Sequence, residues 1–459
     1  MDRTPRTSRT QASPSRYAIA VLLLVLTTLL APPARAQDNI FTGTSSGVTL
    51  FRIAVADFKP LAADAETVAF KQTFDATLYA DLATAGIFDI VSKSLMPPAT
   101  PATPAEIQLQ SYSNAPASAA YIAFGSFGQV GGKLVANGYL FDAKNLQYPQ
   151  VLAKQYSEEP SEDSAREIAH RFADEIIYRL GGGTPGIAET KIYYVHLSGG
   201  DKEIWAMDYD GANQHPITHL GTISMSPRIS PDNTRLAFAS FGKYGSQLKM
   251  YSLLLNRYIA FPSGNVSSAT PAWAPSGNEI AYAAAPRDEF NIWIADSNGN
   301  LGRQITSFRD ASSPAYNPRT GSQIAFISGR TGLPQLYIMN SDGSGVQLMT
   351  DTGYASSPSW SPNGQVIAFA WDRKYGPGAP GGQDIYIMEV ATKKWFQLTH
   401  DGGRCDFPSW SPDGRHIVYA NSADGRAEHM RIWTMLSSDG SQKHPLTGPG
   451  ADMPNWSWK

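Results

Sequence analysis

The stretch Ser357-Pro-Ser-Trp-Ser-Pro362 decides the fold, because variants of it recur through the last three fifths of the chain. The leading prolines of the six copies are Pro227, Pro271, Pro314, Pro358, Pro408 and Pro454. They recur about every 40–50 residues, and such a period built from short strands is typical of β-propeller blades. The repeat therefore predicts a propeller and shows which part of each blade should lie nearest the central axis.

Each repeat also carries two further apolar strands and a tight turn. In the third copy these are Ile324-Ala-Phe326, Leu336-Tyr-Ile-Met339 and the Asp342-Gly343 pair. Strands that are apolar on both faces fit blades packed between neighbours, and Asp-Gly pairs supply the positive φ of tight hairpins. The first repeat lacks its Pro-x-Trp strand, whereas Pro454-Asn-Trp-Ser-Trp458 is spare at the end. This offset between the first and last repeats predicts a six-bladed propeller over 190–459, in which the C-terminal strand completes the first blade and closes the ring.

Residues 37–180 do not show the repeat and mix two kinds of element. Strands are predicted at 51–58, 87–91, 120–124 and 133–142, and helices at 65–85 and 161–180, the first capped by Asp64. This mixture predicts a small N-terminal α/β domain. The glycine-rich stretch that begins at Gly181 predicts a linker over 181–189.

The first 36 residues have the features of a cleaved secretory signal peptide. Arginines precede an apolar run at 17–30, and Ala34-Arg-Ala36 follows. The alternative is a membrane anchor, but the run is shorter than the roughly 20 residues that span a bilayer. We expect an exported protein without a membrane span.

Charge and cysteine content exclude several function classes. The net charge is −3 without basic clusters, so nucleic-acid binding is not expected. Cys405 is the single cysteine, which excludes an internal disulfide and a thiol-rich zinc site.

Two motifs resemble catalytic sequences, but the elements predicted around them do not match those that the chemistry requires. Gly43-Thr-Ser-Ser-Gly47 fits the nucleophile-elbow pattern, but the elbow needs a preceding strand and a following helix, whereas a strand is predicted to follow. Ser411-Pro-Asp-Gly414 resembles part of a sialidase Asp-box, but it also fits a hairpin turn and no arginine cluster accompanies it. We therefore predict no enzyme, no catalytic residue, no metal ligand and no cofactor.

The aromatic residue of each repeat could form a sugar-binding row, but its fixed place favours packing between blades. The residues before each leading proline vary instead, and they should surround one mouth of the channel. Their small polar side chains could hold a peptide or loop, or they could be solvated loops; both interpretations remain open. The candidate partner-binding residues are Ser224, Ser226, Ser268, Thr270, Asp310, Ser313, Tyr354, Ser357, Arg404, Asp406, Phe407 and Asp452.

Several stretches together resemble the TolB family of the bacterial Tol–Pal envelope system. They are the segment 81–90, the junction Ala188-Glu-Thr-Lys-Ile-Tyr-Tyr-Val195, the following Met207-Asp-Tyr-Asp-Gly211, and the repeats themselves. The resemblance implies a non-catalytic periplasmic adaptor, expected as a monomer, that supports outer-membrane integrity and constriction at cell division. It implies that the lipoprotein Pal binds at the propeller mouth.

The resemblance also implies a second partner, TolA, which would bind the N-terminal segment. The candidate residues there are Gln37, Asp38, Asn39, Ile40 and Phe41. Some family complexes hold a cation in the channel; Asp310, Asp406 and Asp452 could attract one such as calcium, but none is predicted here.

Two other classes stay open. An exported propeller that binds or hydrolyses a glycan or peptide would need acidic and aromatic residues converging at the mouth. A purely structural assembly subunit would have partners other than Pal.

Overall fold

The structure is a computed structural model that describes residues 50–243, 245–262, 266–300, 302–376 and 382–458. All of these lie within one compact unit, Ile40–Lys459. The predicted signal peptide at 1–36 and the proposed TolA segment, Gln37 to Phe41, lie outside the described residues.

The N-terminal domain is a mixed sheet with helices. The sheet order is β3-β1-β4-β5-β6, with β2 also paired to β4; β1 runs parallel to β3 and β4, and β5 runs antiparallel to β4 and β6. The strands are β1 (Phe51–Val55), β2 (Lys59–Pro60), β3 (Phe88–Ile90), β4 (Tyr121–Val130), β5 (Lys133–Asp142) and β6 (Gln150–Glu158). The helices are α1 (Ala65–Thr84), α2 (Leu109–Ser113) and α3 (Glu162–Leu180), with a 3₁₀ turn at Lys93–Leu95.

Each of the two long helices begins directly after an N-cap residue whose side chain accepts a backbone amide. Asp64 accepts the amide of Thr67 at 2.8 Å, and Ser161 accepts the amide of Ser164 at 3.0 Å. Both helices pack on one face of the sheet around Phe74 and Phe172. The domain therefore has the predicted α/β character, although the sequence analysis had assigned no element to β6.

Six four-stranded sheets form the propeller over the described residues. The innermost strands are β10 (Ser224–Ile229), β14 (Ser267–Trp273), β18 (Ala311–Tyr316), β22 (Tyr354–Trp360), β26 (Arg404–Trp410) and β30 (Ala451–Trp456). The second strands are β7 (Lys191–Ser198), β11 (Arg235–Gly242), β15 (Glu279–Ala285), β19 (Gln323–Ser328), β23 (Val366–Asp372) and β27 (His416–Ser422).

The outer half of each blade completes the antiparallel sheet. The third strands are β8 (Asp201–Asp208), β12 (Gly245–Ser252), β16 (Asn291–Asp296), β20 (Gln335–Asn340), β24 (Asp384–Glu389) and β28 (Arg431–Leu436), the last preceded by a 3₁₀ turn at Ala427–His429. The outermost strands are β9 (His215–Pro216), β13 (Arg257–Ile259), β17 (Arg303–Gln304), β21 (Gln347–Leu348), β25 (Trp395–Gln397) and β29 (His444–Pro445).

The C-terminal strand closes the ring as predicted. The first blade has the order β30-β7-β8-β9, and Trp456 pairs with Ile192 across the closure. The next five blades follow in chain order from β10 to β29. Closure leaves no inner strand without a neighbour on both sides around the axis, which protects the sheet edges of the ring.

Candidate functional site

The residue before each leading proline adopts a left-handed backbone. The six φ values are 56° at Ser226, 47° at Thr270, 49° at Ser313, 50° at Ser357, 54° at Phe407 and 49° at Met453. Each inner strand shifts register at this point, as a β-bulge does. A left-handed non-glycine residue costs about 1–2 kcal/mol, and such strain often marks functional sites. The sequence analysis missed this feature.

All six bulges lie at the same end of the inner strands and surround one opening of the channel. We call this opening the mouth, defined by residues 223–226, 267–270, 310–313, 354–357, 404–407 and 450–453. The candidate residues around the bulges differ in their solvent exposure. Ser226, Thr270, Ser313 and Ser357 are half-buried at the mouth, whereas Asp310 is exposed.

Four candidate residues are buried, namely Ser224, Ser268, Asp406 and Asp452, and the two serines are the most deeply buried. Ser224 and Ser268 are fully buried: the Ser224 hydroxyl meets its own blade, and the Ser268 hydroxyl meets the preceding blade. The Ser224 hydroxyl bonds to Ser240 Oγ at 3.3 Å, and Ser268 Oγ accepts the amide of Leu248 at 3.1 Å. Neither can contact a partner at the mouth in this conformation, so both are removed from the partner-binding set.

Arg404 and Asp406 form the polar centre of the mouth. Arg404 Nη2 donates to Asp406 Oδ2 at 2.8 Å, and Asp406 Oδ1 accepts the Phe407 amide at 2.8 Å and the Ser356 hydroxyl at 3.1 Å. Burial opposes the charge on Arg404, but the Asp406 carboxylate more than offsets this and raises the arginine pKa. Burial raises the pKa of Asp452. These contacts fix Arg404 and leave Asp406 and Asp452 buried beneath the surface that a partner would meet.

Large apolar side chains stand exposed on the rim of the mouth. Tyr354 and Tyr375 are 36% and 54% exposed and lie with ring centroids 5.6 Å apart. Ile223, Phe241 and Leu333, at the ends of neighbouring strands, are also exposed. Exposed apolar side chains gathered on one surface mark sites of protein interaction. Of these five, only Tyr354 is among the candidate residues predicted from the sequence; the available signal was an apolar residue at or near a strand end.

A cavity of about 260 Å³ opens at the mouth between the blade of β18–β21 and that of β22–β25. Asp310, Ser313 and Tyr354 line it, so three candidate residues share one depression. Among the residues described, no group of three or more histidine, cysteine or acidic side chains is placed to hold a metal ion.

The repeat aromatics pack between blades. Trp273, Trp360 and Trp410 are buried, and each donates its indole N–H to a backbone carbonyl of the preceding blade at 3.0–3.1 Å. Trp456 instead donates to Thr190 Oγ1 at 2.8 Å. These bonds support the packing interpretation over a sugar-binding row.

The N-terminal domain packs near the opposite end of the propeller. His416 Nε2 lies 2.7 Å from the Thr84 carbonyl, and Arg166 Nη2 lies 2.8 Å from Asp210 Oδ2. The partners of this contact on the propeller follow the far ends of the inner strands or lie in outer turns. The mouth is therefore the propeller face that the N-terminal domain leaves uncovered.

A buried polar cluster joins the two domains. Asp81 Oδ1 accepts the Tyr209 hydroxyl at 2.5 Å, and its Oδ2 lies 2.8 Å from His170 Nδ1. Burial disfavours the His170 imidazolium, but the Asp81 carboxylate more than offsets this and raises the histidine pKa. Burial raises the pKa of Tyr209 well above its usual value, so this hydroxyl remains a donor. Sequence reasoning missed the cluster because its members are far apart along the chain.

A family comparison identifies the repeats. The sequence model of the TolB beta propeller domain matches residues 178–459. The chain belongs to the TolB β-propeller family. Its match begins within α3 and covers all six blades, so the family assignment rests on the propeller.

Individual relatives extend the comparison. A protein named "Protein TolB homolog" from Chlorobium luteolum is 29% identical over 301 residues, covering 63% of this chain and 64% of the relative. A "Tol-Pal system protein TolB" from Desulfosudis oleivorans is 30% identical over 290 residues, covering 62% and 64%. The chain thus matches less than two thirds of the length of either curated relative.

A solved structure supports the architecture. The crystal structure of TolB from Acinetobacter baumannii superposes with a TM-score of 0.72 over 90% of this chain and 97% of that chain, at 23% identity. At this identity the likeness shows the fold alone. Separately, within the described residues no helix is long and apolar enough to cross a membrane.

Proposed function

We propose that this chain is a non-catalytic periplasmic adaptor of the Tol–Pal system. In this proposal the lipoprotein Pal binds the propeller mouth, TolA binds residues 37–41, and the pair of contacts supports outer-membrane integrity and constriction at division. The observation that carries it is the exposed apolar rim around the polar centre of the mouth, on the face that the N-terminal domain leaves uncovered. Membership of the TolB family is the reason for proposing the Tol–Pal system in particular.

The chemistry of the mouth suits a docked protein segment. Tyr354 and Phe407 offer aromatic surface, and Arg404 lies with its guanidinium 5.7 Å from the Phe407 ring centroid. Tyrosine and arginine are enriched among residues that dominate protein interfaces. The proposed contact set is Ser226, Thr270, Asp310, Ser313, Tyr354, Ser357, Arg404 and Phe407, with Asp406 positioning Arg404 through its ion pair and Asp452 buried at the same mouth.

The alternative function, binding or hydrolysis of a glycan or peptide, has less support. Glycoside hydrolysis uses a pair of carboxyl groups on either side of the scissile bond. Here Asp406 is already engaged by Arg404, Ser356 and a backbone amide, and it is only 3% exposed. The aromatic row that would stack on a sugar is buried between blades.

Calorimetric titration with the periplasmic domain of Pal from the same organism tests the proposal. We expect saturable one-to-one binding, weakened about 30-fold or more by Tyr354→Ala and by Arg404→Glu, since truncating a central hot-spot residue costs about 2 kcal/mol or more. Tyr258→Ala is the matched control, because Tyr258 is 43% exposed but lies on the outermost strand β13. Absence of binding at high micromolar concentration, or equal loss in the control, would contradict the proposed mouth site.

Adaptor function further requires that the two contacts influence each other. Coupling free energies between sites are about 1–3 kcal/mol, which corresponds to about 5–150-fold in affinity. Deleting residues 37–49 should therefore change the affinity for Pal within this range. An unchanged affinity would leave the mouth contact standing and remove the coupling.

A further inference from the structure

The central channel contains one arginine where the other blades have small side chains. A cavity of about 380 Å³ is lined by the Pro-x-aromatic segments of the six inner strands and by Pro185 and Gly186, on the side of the channel away from the mouth residues. The middle residue of that segment is Ala272, Ala315, Ser359, Ser409 or Asn455 in five blades. In the blade of β10–β13 it is Arg228, which lines the same cavity.

Arg228 has no acidic partner. Its one recorded hydrogen bond is from Nη1 to the neighbouring Pro227 carbonyl at 2.8 Å, and it forms no ion pair within the described part of the chain. By contrast, Arg404 pairs with Asp406, and Arg415 with Asp413. Burial lowers the pKa of Arg228 to about 10, so the guanidinium stays charged at neutral pH. Arg228 is half-buried in the channel, and a partly desolvated charge without a counter-ion is unfavourable.

The equivalent side chains in two other blades act as acceptors. Asn455 Oδ1 accepts the amide of Ile229 at 2.9 Å, and Ser409 Oγ accepts the amide of Trp456 at 3.0 Å. Each bond joins the middle residue of one blade to the aromatic-position amide of the next. The antiparallel ladder turns these amides away from their own blades. At these two junctions a side-chain oxygen therefore joins neighbouring inner strands, whereas Ala272 and Ala315 carry no such oxygen.

At Arg228 this oxygen is replaced by a donor. The residue in the next blade that corresponds to Ile229 and Trp456 is Trp273, whose amide also turns away from its own ladder. A guanidinium has no acceptor, so at this junction the middle residue offers only N–H donors, next to a Trp273 amide that its own ladder does not use. The sole carboxylate among the cavity-lining residues, Asp413, is 4% exposed and engaged by Ser411 and the Arg415 amide.

We propose that the channel binds an oxyanion between the Arg228 guanidinium and the amide of Trp273. An oxyanion would supply the acceptor oxygens that Ser409 and Asn455 provide at two other junctions, and it would neutralise the arginine. Guanidinium groups bind carboxylates and phosphates through paired hydrogen bonds. The shared chemistry admits two sources: a free anion such as inorganic phosphate, or an acidic side chain of a protein docked at the mouth.

Calorimetric titration of the purified protein with inorganic phosphate, at ionic strength held constant with chloride, tests the site. We expect saturable binding that Arg228→Ser abolishes. Arg257→Ser is the matched control, because Arg257 belongs to the same blade but is exposed on β13. Arg228→Ser should also raise the thermal midpoint in phosphate-free buffer, since it removes the unpaired charge and restores a hydroxyl acceptor like that of Ser409.

The thermal midpoint of Arg228→Ser shows whether the variant is still folded. A competition experiment then distinguishes a free anion from an acidic side chain of a docked protein. If saturating phosphate weakens docking of the Pal domain about tenfold in the wild type but not in Arg228→Ser, the site receives an acidic side chain of the partner. If docking is unaffected, the occupant is the free anion. Phosphate binding that survives Arg228→Ser, or a lowered thermal midpoint of that variant without phosphate, would overturn the proposal. The phosphate titration stands even if Pal does not bind.

Discussion

Removing the C-terminal strand should destroy the propeller out of proportion to its length. A chain ending at Thr447 lacks β30 and with it the inner strand of the first blade. Trp456 alone is 4% exposed, and burial of an indole removes about 150–250 Å² from water. At about 25 cal/mol per Å² this contributes about 4–6 kcal/mol. A domain has only about 5–15 kcal/mol in total, so most of the propeller stability depends on this strand.

The assay is thermal and denaturant unfolding followed by circular dichroism and tryptophan fluorescence. We expect the truncated chain to lose the cooperative transition of the propeller. Trp456→Phe keeps the strand but loses the indole bond to Thr190, which should cost about 1 kcal/mol and a few degrees. Trp273→Phe, which loses the equivalent bond to the Arg228 carbonyl, should cost the same. A truncated chain that melts at the wild-type midpoint would refute the closure argument.

Three further predictions concern the domain contact and the lone thiol. Tyr209→Phe leaves Asp81 Oδ1 without its buried donor and should destabilise the protein by about 1–3 kcal/mol in denaturant unfolding; no change would show that the contact is dispensable. The pKa of His170 in the folded protein is raised above its usual 6.5. Protonated His170 therefore stabilises the fold fully below about pH 6.5, and this contribution is lost as the pH rises through the folded pKa. His170→Gln should therefore flatten that decline in a series of melts from pH 5 to 9, and an unaltered slope would assign it to other groups. Burial raises the pKa of the Cys405 thiol to about 11, so about a thousandth is thiolate at pH 8 and iodoacetamide should label the folded protein only after unfolding; rapid labelling of native protein would contradict its burial.

The repeat phase was readable from the sequence because each blade reuses the same local chemistry. Aromatic, proline and Asp-Gly positions recur in a fixed order, so the number of blades and the closing strand followed from counting. The mouth was less readable. The left-handed residues at Ser226 and Phe407 set which neighbours turn inward, and a period-two pattern that is interrupted by a bulge no longer reports the face. That is why Ser224 and Ser268 were placed at the surface although both are buried.

Contacts between distant segments were beyond the sequence for a different reason. Asp81, His170 and Tyr209 belong to three elements whose approach depends on how the domains pack. Arg228 occupies an ordinary repeat position, and only the bonds made by Asn455 and Ser409 show that an acceptor is expected there. Local patterns define strands, whereas these sites depend on the geometry between strands.

Ring closure also has a consequence for biosynthesis. The first blade joins β7 to β30, and the indole bond between Thr190 and Trp456 links positions 266 residues apart. A ribosome makes β7 long before β30, so the first blade must wait with an unpaired edge until the last residues emerge. Such an edge can pair with other chains. The propeller therefore completes its fold only once β30 has reached β7, and the edge of β7 needs protection until then.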